Sequence, residues 1–221
     1  MTGQIDSRLV AALLKQLEQR RAAFDRGARH VGWKLGMGDR ERIGGHVAVG
    51  YLTSETVLEP GARYRVAKGA VLCADAEAMV ELADDVDPAA GPAAVAAAIG
   101  RYGGALELVD LARVPGEPDA VVAANVFHRA VALADLGSAP SEKLAVTVTV
   151  DGQVRASERW PGDLPKRLHD AAVVLEAVGE RLRSGDRIIT GSIVQVPIGP
   201  GERVAAGFGD DASVQLEIDP P

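Results

Sequence analysis

Three carboxylates of this chain stand where a carboxylate is costly. Asp75 and Glu77 lie in the largely apolar run from Val71 to Leu82, and Glu107 lies within Ala105-Leu106-Glu107-Leu108-Val109. A charge inside an apolar strand has to be paired or has to bind a metal. In the first run Ala76, Ala78, Val80 and Leu82 fall on one parity, and Asp75, Glu77, Met79 and Glu81 on the other. Alternate residues of a strand share a face, so Asp75 and Glu77 project side by side, roughly 7 Å apart along the backbone. With Glu107 from a neighbouring strand they form a hard, all-oxygen donor set. Such a set suits Mg²⁺, with Mn²⁺ or Ca²⁺ as alternatives, and leaves positions for water and substrate. By pattern alone, the competing account is a pair of strands with one wet face.

The elements that must position these groups follow from periodicity. Asp6-Ser7 is a helix N-cap, and Leu9, Val10, Leu13, Leu14 and Leu17 recur at helical spacing up to a stop near Gly27. That helix is amphipathic and has to dock on the body of the domain or on a partner. His30 to Gly36 reads as a short strand broken by glycines, Arg40 to Ile43 as one helical turn, and Arg63 to Val66 as a half-buried strand. Pro92 to Gly100 is alanine-rich and helical, and Ala105 to Leu111 is a strand. Asp151-Gly152 links two strand-like runs as a tight hairpin. Asp163 to Leu182 carries a helical apolar stripe with Pro165 in its first turn. Strands follow near Arg203 to Phe208 and Ser213 to Ile218. Many strands and few helices, without regular alternation, predict an α+β fold with a β-rich core. The expected organisation is an N-terminal helical segment, 1–28, and one domain, 29–221.

Composition narrows the partners. The net charge of −7 repels phosphate backbones, which argues against nucleic acid. The single cysteine, Cys73, rules out an intramolecular disulfide and a cysteine-based zinc site. Val10 to Leu14 is far too short an apolar patch to span a membrane, and no secretory pattern precedes it. A cytoplasmic protein is expected.

Four motifs in order resemble the fumarylacetoacetate hydrolase superfamily. They are Gly32-Trp33-Lys34-Leu35-Gly36, Asp75-Ala76-Glu77, Ala105-Leu106-Glu107-Leu108-Val109-Asp110, and Gly185-Asp186-Arg187-Ile188-Ile189-Thr190-Gly191-Ser192. The similarity covers nearly the whole chain and is closest to the branch of 2-keto-4-pentenoate hydratases and 4-oxalocrotonate decarboxylases. It implies a mixed β-roll/β-sandwich core behind the N-terminal helical segment. It implies a divalent ion, usually magnesium, on Asp75, Glu77 and Glu107, with Lys34 as proton donor or fixed positive charge. Thr190 and Gly191 are then expected near the substrate carboxylate. The implied activity is a metal-dependent hydro-lyase that hydrates a small 2-keto-enoate or 2-hydroxydienoate through an enolate. Two alternatives stay open: decarboxylation of a 2-keto-diacid or carbon–carbon hydrolysis, and a catalytically silent partner subunit. A homo-oligomer, dimer or higher, is expected, because relatives associate and the first helix has an apolar face to bury.

The chain also departs from that family. Asp75 stands where glutamate is usual, and its carboxylate reaches one methylene less. Glu55 stands where the hydratases have aspartate, which marks it as a catalytic candidate. In Ala124-Asn125-Val126-Phe127-His128-Arg129 only the asparagine of a small-residue loop remains. Arg129 there is a candidate holder for a second substrate carboxylate, which would favour a diacid. His30 and His46 flank the Lys34 segment and are candidates for the histidine that the hydrolase branch uses to activate water.

Overall fold

The computed structural model of the chain describes residues 5–36, 38, 45–112, 117–210 and 212–221. The turn expected over Arg40 to Ile43 lies outside them. Among the described residues, twelve strands and four α-helices follow one another. Helix α1 runs Ser7–Asp25, and the side chain of Asp6 accepts from the Arg8 amide to cap it. Strands β1 (His30–Gly36), β2 (Ala48–Thr53), β3 (Val57–Leu58), β4 (Arg63–Arg65) and β5 (Leu72–Leu82) come next. Helix α2 (Gly91–Ala98), β6 (Ile99–Asp110), α3 (Pro118–Ala123) and β7 (His128–Gly137) lead into the second half. There β8 (Ala145–Val150) and β9 (Gln153–Arg159) form the hairpin expected at Asp151-Gly152. Helix α4 (Leu164–Glu176), β10 (Arg187–Pro197), β11 (Arg203–Phe208) and β12 (Ala212–Asp219) complete the chain.

Two boundaries differ from expectation for local reasons. Helix α4 stops at Glu176 rather than Leu182, because Gly179 takes a left-handed φ of 76° and the Glu180 amide turns back onto the Leu175 carbonyl. Strand β6 starts six residues before Ala105, since α2 ends at Ala98 and Ile99 is already extended.

The strands make two sheets. One has seven strands in the order β2-β1-β10-β5-β6-β7-β3, and the other five in the order β4-β12-β11-β8-β9. Most neighbours are antiparallel, while β1–β10, β3–β7 and β4–β12 are parallel. The even residues of β5 (Ala74 to Leu82) and Leu106 and Leu108 of β6 belong to the main core, together with Val146, Val148, Val204, Ala206 and Phe208 of the second sheet. Leu9, Leu13 and Leu17 of α1 join this core, so the helix docks on its own chain, while Leu14 stays 44% exposed.

The seven-stranded sheet curls. β1 and β6 are three places apart in its order, about 14 Å in a flat sheet at ~4.8 Å per strand. Yet Lys34 of β1 touches Glu107 of β6, and Leu52 of β2 clusters with Val131 of β7. The face opposite the main core is therefore concave. It holds a second, smaller apolar cluster of Leu52, Met79, Ala105, Val131 and Ile189.

Candidate metal centre

The antiparallel register of β5 on β6 places Asp75 directly opposite Glu107, and Glu77 opposite Ala105. Opposed residues point to the same face, so all three carboxylates project into the concave side. One oxygen from each lies within 4.8 Å of the others, and all three residues are buried. The apolar neighbours on that face follow from the same register: Met79 pairs with Ile189, and Val131 stands opposite Glu107. These side chains keep water out and strengthen every charge interaction inside.

The charges are incompletely matched within the protein. Lys34 donates to Glu107 Oε2 at 2.8 Å and to the carbonyl of Val126 at 2.9 Å, and its ammonium lies 2.6 Å from Glu107 Oε1 as an ion pair. His128 places Nδ1 2.6 Å from Glu107 Oε1 and Nε2 2.9 Å from Thr56 Oγ1. Glu77 accepts from the Gly191 amide at 2.8 Å. Asp75 Oδ1 is buried with no hydrogen-bond partner. One ammonium thus faces three carboxyls. Burial, and then the charge of Glu107, push Asp75 up to about 7 and Glu77 well above the ordinary glutamate range. Glu107 is as deeply buried, but Lys34 and His128 outweigh that burial and hold it down to about 2. Burial also depresses His128, against the pull of Glu107 in the other direction.

A divalent ion fits this set. An unpartnered buried oxygen, two carboxyls driven toward neutrality by burial and by the charge of Glu107, and oxygen donors alone are what a hard cation would resolve. Asp75, Glu77 and Glu107 would hold it.

Local structure explains how the cationic side is placed. Asn125, Val126 and Phe127 take left-handed φ values of 58°, 51° and 64° in succession. Non-glycine residues rarely do so, and a β-branched one least of all, at a cost of about 1–3 kcal/mol each. The turn is held from several sides. Asn125 accepts from the Tyr51 amide at 2.8 Å and donates to its carbonyl at 3.1 Å, in place of a strand neighbour. Val126 gives its carbonyl to Lys34. Gly50 leaves the room: a Cβ there would lie 2.7 Å from both Asn125 Oδ1 and Lys34 Cγ. At Gly36 a Cβ would lie 2.7 Å from Val126 Cγ1. Gln16 of α1 donates to the carbonyls of Val49 and Val122, at 2.9 and 2.6 Å, tying the helix to the segments that lead into Gly50 and Asn125.

No protein-family model matches this sequence, and no curated protein matches it either. Solved structures do. 4-Oxalocrotonate decarboxylase from Pseudomonas putida G7, complexed with magnesium and adipate, superposes with a TM-score of 0.84 over 95% of this chain and 86% of that one, at 23% identity. The chain has the fumarylacetoacetate-hydrolase-type fold. Fumarylpyruvate hydrolase from Pseudomonas aeruginosa, complexed with Mn²⁺ and pyruvate, shares this superfamily fold at a TM-score of 0.65 and 16% identity, over 87% of this chain and 90% of that one. 5-Carboxymethyl-2-hydroxymuconate delta-isomerase from Mycobacterium smegmatis does so at 0.63 and 15%, over 87% and 80%. At these identities the likeness establishes the superfamily fold.

The remaining sequence candidates are dispersed. Glu55 is exposed and turned outward to Arg26 at 3.0 Å, away from the carboxylate cluster. Arg129 is also at the surface, paired with Asp110 at 3.4 Å. Thr190 is buried but commits its hydroxyl to the Ala78 carbonyl, while Gly191 supplies the amide on Glu77. His30 bonds Asp186, which also accepts from Trp33, and His46 has no contact with the cluster among the described residues. The histidine at the cluster is His128, which sequence reasoning passed over. Glu107 pairs with Val131 and Leu108 with Ala130, but Val109 pairs with His128, so Arg129 is bulged out. Simple alternation from Val131 puts Arg129 on the concave face. The bulge puts His128 there instead and sends Arg129 to solvent. Three left-handed residues just before the strand are where that irregularity begins, and Asn125 was its one sequence mark.

Proposed function

We propose that this protein is a divalent-metal-dependent enzyme that decarboxylates a small 2-keto-diacid. The observation that carries this reading is the buried trio Asp75, Glu77 and Glu107, with one oxygen unpartnered, on a fold that superposes at 0.84 on a decarboxylase complexed with magnesium and a six-carbon diacid. When bound, Mg²⁺ or Mn²⁺ would supply a Lewis acid for the keto and carboxylate oxygens of the substrate. The chain's own groups do the rest. Asp75, Glu77 and Glu107 fix the ion's position. The Gly191 amide fixes Glu77. Lys34, buried at the cluster, offers a positive charge to the electron pair left when carbon dioxide departs, and a proton to quench it. The apolar residues beside the carboxylates exclude water, which keeps that pair from being protonated at random.

A second reading is hydration of a 2-hydroxydienoate, and one observation favours it. Arg129, the residue best suited to a second carboxylate, points to solvent and pairs with Asp110. Without it, the described concave face presents apolar side chains beyond the metal ligands, which suit a monoacid. A homo-oligomer belongs to the same proposal.

The test is to incubate the Mg²⁺-loaded protein with 4-oxalocrotonate and, separately, with 2-hydroxypenta-2,4-dienoate, following carbon dioxide release and loss of diene absorbance. Carbon dioxide release that is abolished in Lys34→Met and Glu107→Ala supports decarboxylation. Diene loss without carbon dioxide favours the hydratase. Folded protein that neither binds the metal nor turns over either compound points to a silent partner subunit.

A further inference from the structure

We propose that His128 is a positioning residue: it holds the Glu107 carboxylate in the orientation that receives the divalent ion, and is itself held by Thr56. This rests on the metal reading given above and adds two residues to it that would not touch the ion.

The hydrogen-bond logic is closed by geometry. An ionised carboxylate only accepts, so His128 Nδ1, 2.6 Å from Glu107 Oε1, carries the hydrogen. Nε2 of the neutral ring then accepts from Thr56 Oγ1 at 2.9 Å, which takes the hydroxyl's one hydrogen in competition with the Thr53 carbonyl at 3.2 Å. The ring is buried, and both nitrogens are used. Thr56 is anchored in turn. Its amide donates to the Thr53 carbonyl at 3.0 Å, and its own carbonyl accepts from the Val131 amide at 2.8 Å, where β3 joins β7. The chain of contacts therefore runs from the sheet, through Thr56 and His128, to one oxygen of Glu107.

Lys34 cannot perform this task. It bonds Oε2 of Glu107 and lies in ion-pair contact with Oε1, so it is the group that has to give ground when an ion draws on that carboxylate. His128 bonds a single oxygen and approaches from β7, the strand on the other side of β6 from Asp75 and Glu77. Its bond fixes the plane of the carboxylate while leaving the side toward Asp75 and Glu77 free. Asp75, with no comparable partner on Oδ1, is the ligand left to adjust. The bulge at Arg129 and the left-handed turn before it are what bring the ring to this place. Partners of metal ligands of this kind, when removed, weaken metal affinity by about 10–100-fold.

The experiment is a titration of the EDTA-treated full chain with Mn²⁺, read by the EPR signal of the free ion, on wild type, His128→Leu, His128→Asn and Thr56→Val. Metal-free melting temperature serves as the folding control. The Asn side chain places an amide nitrogen where Nδ1 stands and has nothing to offer Thr56. His128→Leu is expected to bind Mn²⁺ about 10–100-fold more weakly. His128→Asn should recover most of that loss, and Thr56→Val should fall between them and wild type. If His128→Leu does not fold, the other two variants decide. Wild-type affinity in folded His128→Leu or in Thr56→Val overturns the inference, and so does a His128→Asn variant as weak as His128→Leu, which would reduce the residue to packing. If wild type itself binds no Mn²⁺, the metal reading fails and takes this inference with it. If wild type and all variants bind alike, only this inference fails.

Discussion

Asp75 and Glu77 hold protons in the metal-free protein that they have to release to an ion. Asp75 is pushed up to about 7 by burial and by Glu107, and Glu77 is raised well above the ordinary glutamate range by the same two causes. Mg²⁺ affinity is therefore expected to rise between pH 6 and 8, with proton release on binding. Calorimetry in two buffers of different ionisation enthalpy measures both. The same groups fix a stability trend. The folded chain keeps protons that the unfolded chain loses above 3.8 at Asp75, so their contribution is complete below that pH and disappears as pH rises through 7. Metal-free protein should thus lose urea resistance as pH rises from about 4 to 7, and Mg²⁺ should restore it at neutral pH. Lys34 has the opposite standing. Lys34→Met removes a donor from Glu107 and from the Val126 carbonyl, and should cost about 3–5 kcal/mol in metal-free denaturation. At this scale the three carboxylates were legible, because charge in an apolar strand has few explanations. His128 was not, since nothing in alternation foretells a bulge.

Elements set how finely those side chains are aimed. The turn Asn125–Phe127 stores strain that its contacts oppose, so removing a contact should be costly out of proportion to its size. Asn125→Ala loses both bonds to Tyr51 and the residue type most tolerant of the left-handed region. About 2–3 kcal/mol of destabilisation is expected from two partly buried hydrogen bonds, measured by chemical denaturation. Gly50→Ala tests the facing wall. Its methyl would press on Asn125 Oδ1 and Lys34 Cγ, and about 1–3 kcal/mol of overpacking is expected, with weaker Mn²⁺ binding because Lys34 and Glu107 shift together. Strands and hairpin were readable from period and turn chemistry. The ends of α4 and β6 were not, because a glycine-terminated turn and an early extended residue decided them.

For the whole molecule, four short motifs in order predicted the superfamily fold, since each falls on a strand or strand end of one curled sheet: β1, β5, β6 and β10 are consecutive or nearly so in its order. The curl itself was not legible, and it is what lets Lys34 reach Glu107. The N-terminal helix was legible as amphipathic, but not as part of its own chain's core. Leu13→Ala, with Leu13 only 1% exposed, should cost about 2–5 kcal/mol and loosen the Gln16 tie to Val49 and Val122. No described helix is long and apolar enough to cross a membrane. Binding of a divalent ion to the three buried carboxylates of the concave face is measured by calorimetric titration with Mg²⁺ and Mn²⁺, with and without oxalate, on wild type and Glu107→Ala. Wild type is expected to bind both ions, to bind them more tightly with oxalate present, and to lose both effects in the variant. Absence of binding by folded wild type at millimolar metal, or undiminished binding by Glu107→Ala, would contradict the three-carboxylate site.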